Sequence, residues 1–505
     1  MTRTTSRVLL RSAAIALPLV VAGFCSLSPA LAQGKSTLSI GQNADLTSFD
    51  PTELRAGTYV STHLLYNSLI RLDAEGKPQP ELAQSWTRSE DGKTLTLKLQ
   101  PNVKFHDGRP MTSKDVAFSF DYAKTPAVGA NILPLAQMIS KIDTPDDQTV
   151  VMTLVSASDA IYDLLDLAFI VDSKHPKTIK TSGMGTGPFK LTDYEPGQQI
   201  TFVRNENYWR QKPAISRVTI KIIPDLQSSV AQLRAGTIDF LPLVSREALE
   251  QLSGTGLKTG VAAAEGRVLD IGINTKAKVF DNPDVRRAVN LAIDRARIAH
   301  DVVGGNSVPK CLPWPVRSKR EATGMENSCK YDLAAAKALI EKAGATGAQV
   351  ELLSYSQAEP ALGAMAQILQ DSLKQIGLTA TISEMSEAAF VARFRKSNFQ
   401  FTTHFYVRAG RSPSAVLLTA VPFRSKGNVS GIDSKQYQDD VALVTSAKPG
   451  ADTDAAFKRI NTFLLDQAWV LPVATLPVQW ASTPKLEGVT FNLDGMPIFE
   501  KASVR

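Results

Sequence analysis

Apolar and polar residues alternate with a period of two in several stretches, and each such stretch reads as a β-strand. They are "TLSIGQ" (37–42), "TLTLKLQ" (94–100), "QTVVMTLV" (148–155), "QITFVRN" (199–205) and "RVTIKII" (217–223). β-Branched residues, which suit a pleated surface, dominate them. Elsewhere the period lengthens to that of a helix. After Asp225, Leu226, Val230 and Leu233 share one face, and Gly236 is placed to end the helix. In "NPDVRRAVNLAIDRARIAHDVVGG" Asn282 is a cap and Pro283 takes the first helical position. Val285, Ala288, Val289, Ala292 and Ile293 then form one stripe. Asp332 caps "LAAAKALIEKAG", closed by Gly344; "LGAMAQILQDSLKQIG" repeats the pattern up to Gly377, and the strand "LTATISEM" follows. The second half thus predicts strand–helix–strand units around a mostly buried sheet. At 505 residues the chain exceeds one comfortable core, so at least two lobes are expected.

The N-terminus departs from these patterns. Arg3, Arg7 and Arg11 precede a short apolar run, Ala13 to Cys25, and "ALA" (30–32) offers a small-residue cleavage site. This reads as a secretory signal over residues 1–32, too short and too interrupted by Pro18 to span a membrane. Phe24 before Cys25 argues against lipoprotein processing. The formal charge of +7 includes the leader's arginines, so the mature excess is mild and gives no reason to propose nucleic acid. No later stretch approaches a transmembrane run, so no membrane insertion is expected. Two cysteines remain, Cys311 and Cys329. In an oxidising compartment an even pair suggests a disulfide, the alternative being two buried thiols.

The familiar catalytic signatures are missing: no G-x-S-x-G elbow, H-E-x-x-H, P-loop or S-x-x-K occurs. His63, His106, His175, His300 and His404 stand alone, and Asp146 and Asp147 lie in a polar turn, "TPDDQT". No enzyme activity and no cofactor are expected, with a secreted hydrolase as the remote alternative. "GMGTGPF" (183–189) invites a phosphate-loop reading, but Pro188 follows at once and two strands joined by a Pro-Gly turn come next. A dinucleotide loop must instead open a helix. These glycines are expected to permit a tight backbone crossing between lobes.

The segment "GTGPFKLTDYEPGQQITFVRNENYW" (185–209) resembles a signature of the dipeptide, oligopeptide and nickel solute-binding family of ABC importers. The likeness extends through "FDPT" (49–52), "LYNSLIRLD" (65–73), "RVTIKIIPDLQSSVAQLRAGTIDF" (217–240), "IGINTKAKVFDNPDVRRAVNLAIDRARI" (271–298), "YDLAAAKALIEKAG" (331–344) and "LPVATLPVQWAS" (471–482). The resemblance implies an α/β, bilobal periplasmic-binding-protein cleft fold with an extra subdomain in the first lobe. Lobe I would comprise 33–270 plus 478–505, with the subdomain at about 77–178; lobe II would be 271–477. The implied function is the periplasmic component of an ABC importer. It would act as a monomer, capturing a small peptide-like or anionic organic solute and delivering it to the membrane permease. A nickel–chelate binder, holding an anionic metallophore, is the alternative.

The resemblance also places "VRAGRSPS" (407–414) at the ligand cleft. Peptide-binding members usually carry an Asp-Pro pair here, whose aspartate holds the peptide amine; this chain has Ser412-Pro413 with Arg408 and Arg411 alongside. The arginine that meets a dipeptide carboxylate is also missing from "EPALGAM" (359–365). Arg55, Tyr59, Asp166, Tyr406, Arg408, Arg411, Ser412 and Asp494 are therefore the expected ligand contacts. Arg55, Arg408 and Arg411 would favour an anionic group, because guanidinium pairs bidentately with oxyanions. Asp166 or Asp494 would offset part of that charge or meet an amine.

Overall fold

A computed structural model describes residues 37–53, 57–304, 306–357 and 359–505. The expected leader and Arg55 lie outside the described residues. Among the described residues, the strands of the first lobe form a seven-stranded sheet in the order Lys258–Val261, Gln479–Ser482, Phe240–Pro242, Thr37–Gln42, Arg217–Ile222, Gln199–Arg204, Phe189–Glu195. A four-stranded sheet (Ala83–Arg88, Thr94–Leu99, Thr149–Leu154, Ile139–Asp146) forms the additional layer of this lobe. The hairpin that ends in its edge strand Ile139–Asp146 turns at "TPDDQT", where Asp146 pairs with Thr149. The second lobe is built on a five-stranded sheet ordered Thr379–Glu384, Gln349–Ser354, Phe401–Val407, Arg267–Ile273, Val470–Thr475. Every residue of Arg267–Ile273 is buried, as a sheet covered by helices on both faces requires.

The strand Arg267–Ile273 straddles position 270 but belongs wholly to the second sheet, so the chain crosses between Val261 and Arg267. It returns between Thr475 and Gln479.

The caps read from sequence form as hydrogen bonds, Asn282 accepting from Asp284 N and Asp332 from Ala335 N; Asp225 likewise caps its helix, accepting from Ser228 N. Gly236, Gly344 and Gly377 follow their helices at positive φ, a backbone conformation glycine adopts without a Cβ penalty. One helix is shorter than its stripe suggests. Pro283–Leu291 ends before Ile293 because the Asp294 carboxylate accepts from Arg297 N and starts a new turn, continued by a π-helical segment at Ile298–Val303. Cys311 and Cys329 are joined in a disulfide.

The glycines of "GMGTGPF" cross inside the first lobe rather than between lobes. A Cβ on Gly185 would lie 2.1 Å from the Leu65 carbonyl oxygen, and one on Gly187 would lie 2.4 Å from the Leu65 carbonyl carbon. Gly187 N donates to Leu65 O at 2.9 Å, so the two backbones touch directly. His106 locks the same crossing: its Nδ1 accepts from Gly185 N at 3.4 Å and its Nε2 donates to Gly187 O at 3.2 Å. Only the neutral ring does both. Burial holds its pKa near 4, and burial together with the Arg71 charge holds that of His63 near 3.

A folded-state histidine pKa below the unfolded value of about 6.5 means that the unfolded chain takes up protons first. Stability is therefore expected to fall as pH drops from about 6.5 toward 4, by up to about 1.4 kcal/mol per pH unit for each histidine. Thermal melts against pH check this, and the acid slope should be shallower in His106→Asn. An identical slope in that variant would remove His106 as a cause.

Candidate functional site

Between the two sheets lies a cavity of about 480 Å³. One wall comes from the first lobe, with Asn43, Ser229 and Leu243; the facing wall comes from the second, with Arg267, Tyr355, Glu359 and Phe405. Arg267 begins the buried strand, and its position on the wall follows from strand alternation. Its Nη1 is 2.7 Å from Glu359 Oε2, and its guanidinium lies 5.4 Å from the centre of the Phe405 ring. Its Nε–H is buried without a hydrogen-bond partner.

Among the described residues the expected contacts do not line this cavity, although their neighbours Val60, Phe405 and Met496 do. Most of them meet at a second interlobe contact. The strand Phe401–Val407 ends in a turn where Arg408 adopts φ of 64°, and Ser412 then caps the helix Pro413–Thr419, accepting from Ala415 N at 3.2 Å. Arg411, only 1% exposed, is not a free cation. Its Nη2 reaches Asp494 Oδ2 at 2.6 Å and Asp166 Oδ2 at 2.7 Å, and its Nη1 lies 3.7 Å from Asp163 Oδ1. Asp163 and Asp166 are three residues apart on the helix Ala160–Leu167, which puts both carboxylates on one face. Ser412 Oγ donates to Asp163 Oδ2 at 2.5 Å.

Burial raises the pKa of Asp163 and Asp166 despite the arginine. Burial alone would lower that of Arg411, but the three carboxylates hold it well above its usual range. This is a closed ion cluster joining the lobes.

Tyr59 stands beside it. Its hydroxyl is hydrogen-bonded to Arg408, and burial, then the Asp494 charge, raises its pKa. Tyr406 points the other way, because it follows the cavity-facing Phe405 in a strand. It packs edge-on to Phe423 and donates to the Pro313 carbonyl at 3.2 Å, inside the second lobe's core.

The sequence reading missed Asp163, Arg267, Tyr355, Glu359 and Phe405. The one available signal was "RVLDIGI", where an arginine and an aspartate interrupt an apolar strand. At "EPALGAM" Glu359 precedes the helix Pro360–Gln375 and accepts from Arg267 Nη1 at 2.7 Å.

The histidines are partnered locally. His404 Nδ1 meets Asp270 Oδ1 at 3.0 Å with its ring stacked on Phe394, and His63 Nε2 meets the Asn492 side chain at 3.2 Å. Among the described residues, Asp107, Asp172 and His175 are grouped closely enough to hold a cation. However, Asp172 is already engaged by Arg109 and His175, and the group is not on the cavity wall.

The sequence profile of bacterial extracellular solute-binding proteins, family 5 (middle region), matches residues 77–424. The chain is 28% identical over 455 residues to the nickel-binding periplasmic protein of Escherichia coli K12, covering 85% of this chain and 87% of that one. It is 29% identical over 387 residues to a probable D,D-dipeptide-binding periplasmic protein of the same organism, covering 72% and 73%. The fold superposes on the A. tumefaciens R10 binding protein solved with agropinic acid, with a TM-score of 0.80 and 24% identity over 93% of this chain and 99% of that one. Profile, order of elements and interlobe cavity converge: the chain belongs to family 5 of the bacterial extracellular solute-binding proteins, the capture components of ABC importers.

Proposed function

We propose that the protein captures a small anionic organic solute in the 480 Å³ interlobe cavity, adds no chemistry to it, and hands it to its permease as an exported monomer. One observation carries the anionic reading: Arg267 stands on the cavity wall beside the aromatic face of Phe405, with Nη1 held by Glu359. A guanidinium so placed offers an oriented donor in a site of low dielectric, where each polar contact counts for more. The volume suits one drug-sized molecule, which typically needs about 300–1,000 Å³. The relative solved with agropinic acid is consistent with an acidic solute. The nickel-binding relative keeps an anionic metal chelate within the same chemistry.

Mass spectrometry of small molecules released by denaturing the purified protein, with metal analysis alongside, identifies the solute and separates the two. Adding that solute back should compact the protein in solution scattering, and at 100 times Kd it should stabilise the fold by about 2.7 kcal/mol. Arg267→Ala should weaken binding by about 10- to 100-fold, the worth of one hydrogen bond to a charged group. A solute that binds Arg267→Ala as tightly as the parent protein would refute the assignment.

A further inference from the structure

The charge on the cavity wall does not suit a purely acidic solute. Asp225, Glu247, Glu359 and Glu387 line it against only Arg246 and Arg267. Both arginines are engaged, Arg246 by Glu250 and by the His300 carbonyl at 3.0 Å, and Arg267 by Glu359. Asp225 is occupied in capping its helix. Among the described residues Glu247, from the first lobe, and Glu387, from the second, have no ion-pair or hydrogen-bond partner. An acidic group finds its donor at Arg267, but it leaves the negative excess of the wall unanswered.

Glu387 is exposed but not isolated. It opens the helix Glu387–Arg395, and Phe390, one turn on and on the same face, sets its ring centre 4.3 Å from that of Tyr355. Tyr355 follows the strand Gln349–Ser354 and lines the cavity beside Phe405, whose ring centre is 6.3 Å away. It is only 4% exposed, yet its hydroxyl has no hydrogen-bond partner among the described residues. A buried hydroxyl left unpaired is costly, and in a binding cavity the missing partner is one that a ligand brings. Burial, then the charges of Asp270, Glu387 and Glu359, pushes its pKa well above the usual range, so it stays a neutral phenol. The wall thus presents a phenol oxygen and a free carboxylate one helical turn from the ring that packs on it.

We infer that Tyr355 and Glu387 form a subsite for a nitrogen cation, an ammonium or guanidinium group, on the same solute whose acidic group meets Arg267. Such a group donates to the phenol oxygen and to the carboxylate at once, and it offsets the acidic excess of the wall. The aromatic faces of Tyr355 and Phe405 favour it as well. Ser412 offers no carboxylate to an amine; Glu387, on another helix, does. The inference rests on the solute-capture reading and narrows it to a zwitterion, which sets an anionic metal chelate aside.

The test uses the full mature protein and four probes at constant ionic strength: L-alanyl-L-glutamate, N-acetyl-L-arginine, N-acetyl-L-alanyl-L-glutamate and nickel citrate. The first two carry a nitrogen cation beside a carboxylate, and the last two carry only negative charge. At least one of the first two should raise the melting temperature, and whichever does so assigns ammonium or guanidinium. Neither of the last two should. By calorimetry Glu387→Gln should weaken the responding probe about tenfold or more, and Tyr355→Phe about three- to tenfold. Without a probe Tyr355→Phe should melt no lower than the parent, because the hydroxyl it loses is unpartnered.

A stronger response to an anionic probe than to both cation-bearing ones, or no response to any, overturns the subsite. So does a Glu387→Gln protein that melts lower but binds as tightly as the parent, since the acid then serves only the N-terminus of its helix. Loss of probe binding in Arg267→Ala, with full binding in Glu387→Gln and Tyr355→Phe, also overturns it while leaving solute capture at the cavity intact. The reverse pattern keeps the subsite and removes Arg267 from the solute.

Discussion

Arg411→Ala is expected to hold the protein open at neutral pH. The residue is the one cation among Asp163, Asp166 and Asp494, with Nη2 within 2.7 Å of both Asp166 and Asp494. Removing it leaves three buried carboxylates of the first lobe without their partner from the second. Breaking a buried ion pair from one side costs about 3–5 kcal/mol, because the remaining charge stays desolvated. Here the molecule has a cheaper escape than unfolding: the lobes can separate and rehydrate the acids. The closed population should therefore drop by roughly two to three orders of magnitude, with a matching loss of solute affinity.

Acid should partly reverse the defect. Burial raises the pKa of Asp163 and Asp166 in the closed form. Closing therefore takes up protons, and it is favoured below the raised pKa values and disfavoured as pH rises through them. Asp163→Asn placed in the Arg411→Ala background should restore closure at pH 7 for the same reason. Scattering radii and titration calorimetry across pH 4.5–7.5 check both statements. An Arg411→Ala protein that closes normally at pH 7 would show that the cluster contributes nothing to closure.

Gly266→Ala is the second change with a large expected effect. A Cβ at Gly266 would stand 1.9 Å from the Asp494 carbonyl oxygen and 2.5 Å from its carbonyl carbon. Those are backbone atoms, so no side-chain rotation relieves the overlap. Gly266 lies in the first crossing between lobes, and its own carbonyl accepts from Ala409 N at 3.3 Å. One methyl group would thus push the tail away from the crossing, draw Asp494 off Arg411 and shift Arg267 on the cavity wall. Overpacking of this kind costs about 3 kcal/mol or more. Gly450→Ala is the contrast, because its nearest atom, Lys448 O, would be 4.0 Å away; its effect should stay within about 0.5 kcal/mol. Urea midpoints for the two variants check the difference, and equal midpoints would contradict the overlap argument.

What was legible in the sequence divides along the chain's own distances. The caps at Asn282 and Asp332 bond to residues two or three positions ahead, so a short window contains the whole interaction. The alternation of "RVTIKII" likewise carries its own register. The site is different in kind. Arg267 and Glu359 are 92 residues apart, and Ser412 and Asp163 are 249 apart. Arg411 read as an exposed anion handle because its local neighbours are glycine, serine and proline; the acids that neutralise it arrive from a helix and a tail elsewhere in the chain. Asp166 and Asp494 were visible as acids able to offset charge, and they do so internally, against Arg411. Tyr406 turns into the second lobe for a local reason, since alternation gives the cavity to one of two adjacent aromatics and Phe405 takes it.

The position of Gln479–Ser482 has a bearing on how the protein is made. This strand lies between Phe240–Pro242 and Lys258–Val261 and bonds to both, so the latter joins its sheet only through residues synthesised more than two hundred positions later. A nascent chain, however much of it has emerged, lacks this piece until its final stretch is translated. Contacts of such long range also form slowly, because a large loop must close before any of them can stabilise it. Synthesis and folding are thereby separated in time. The sheet of the first lobe is thus sealed only when residues 479–482 arrive, and until then its edge strand Lys258–Val261 has no place to dock.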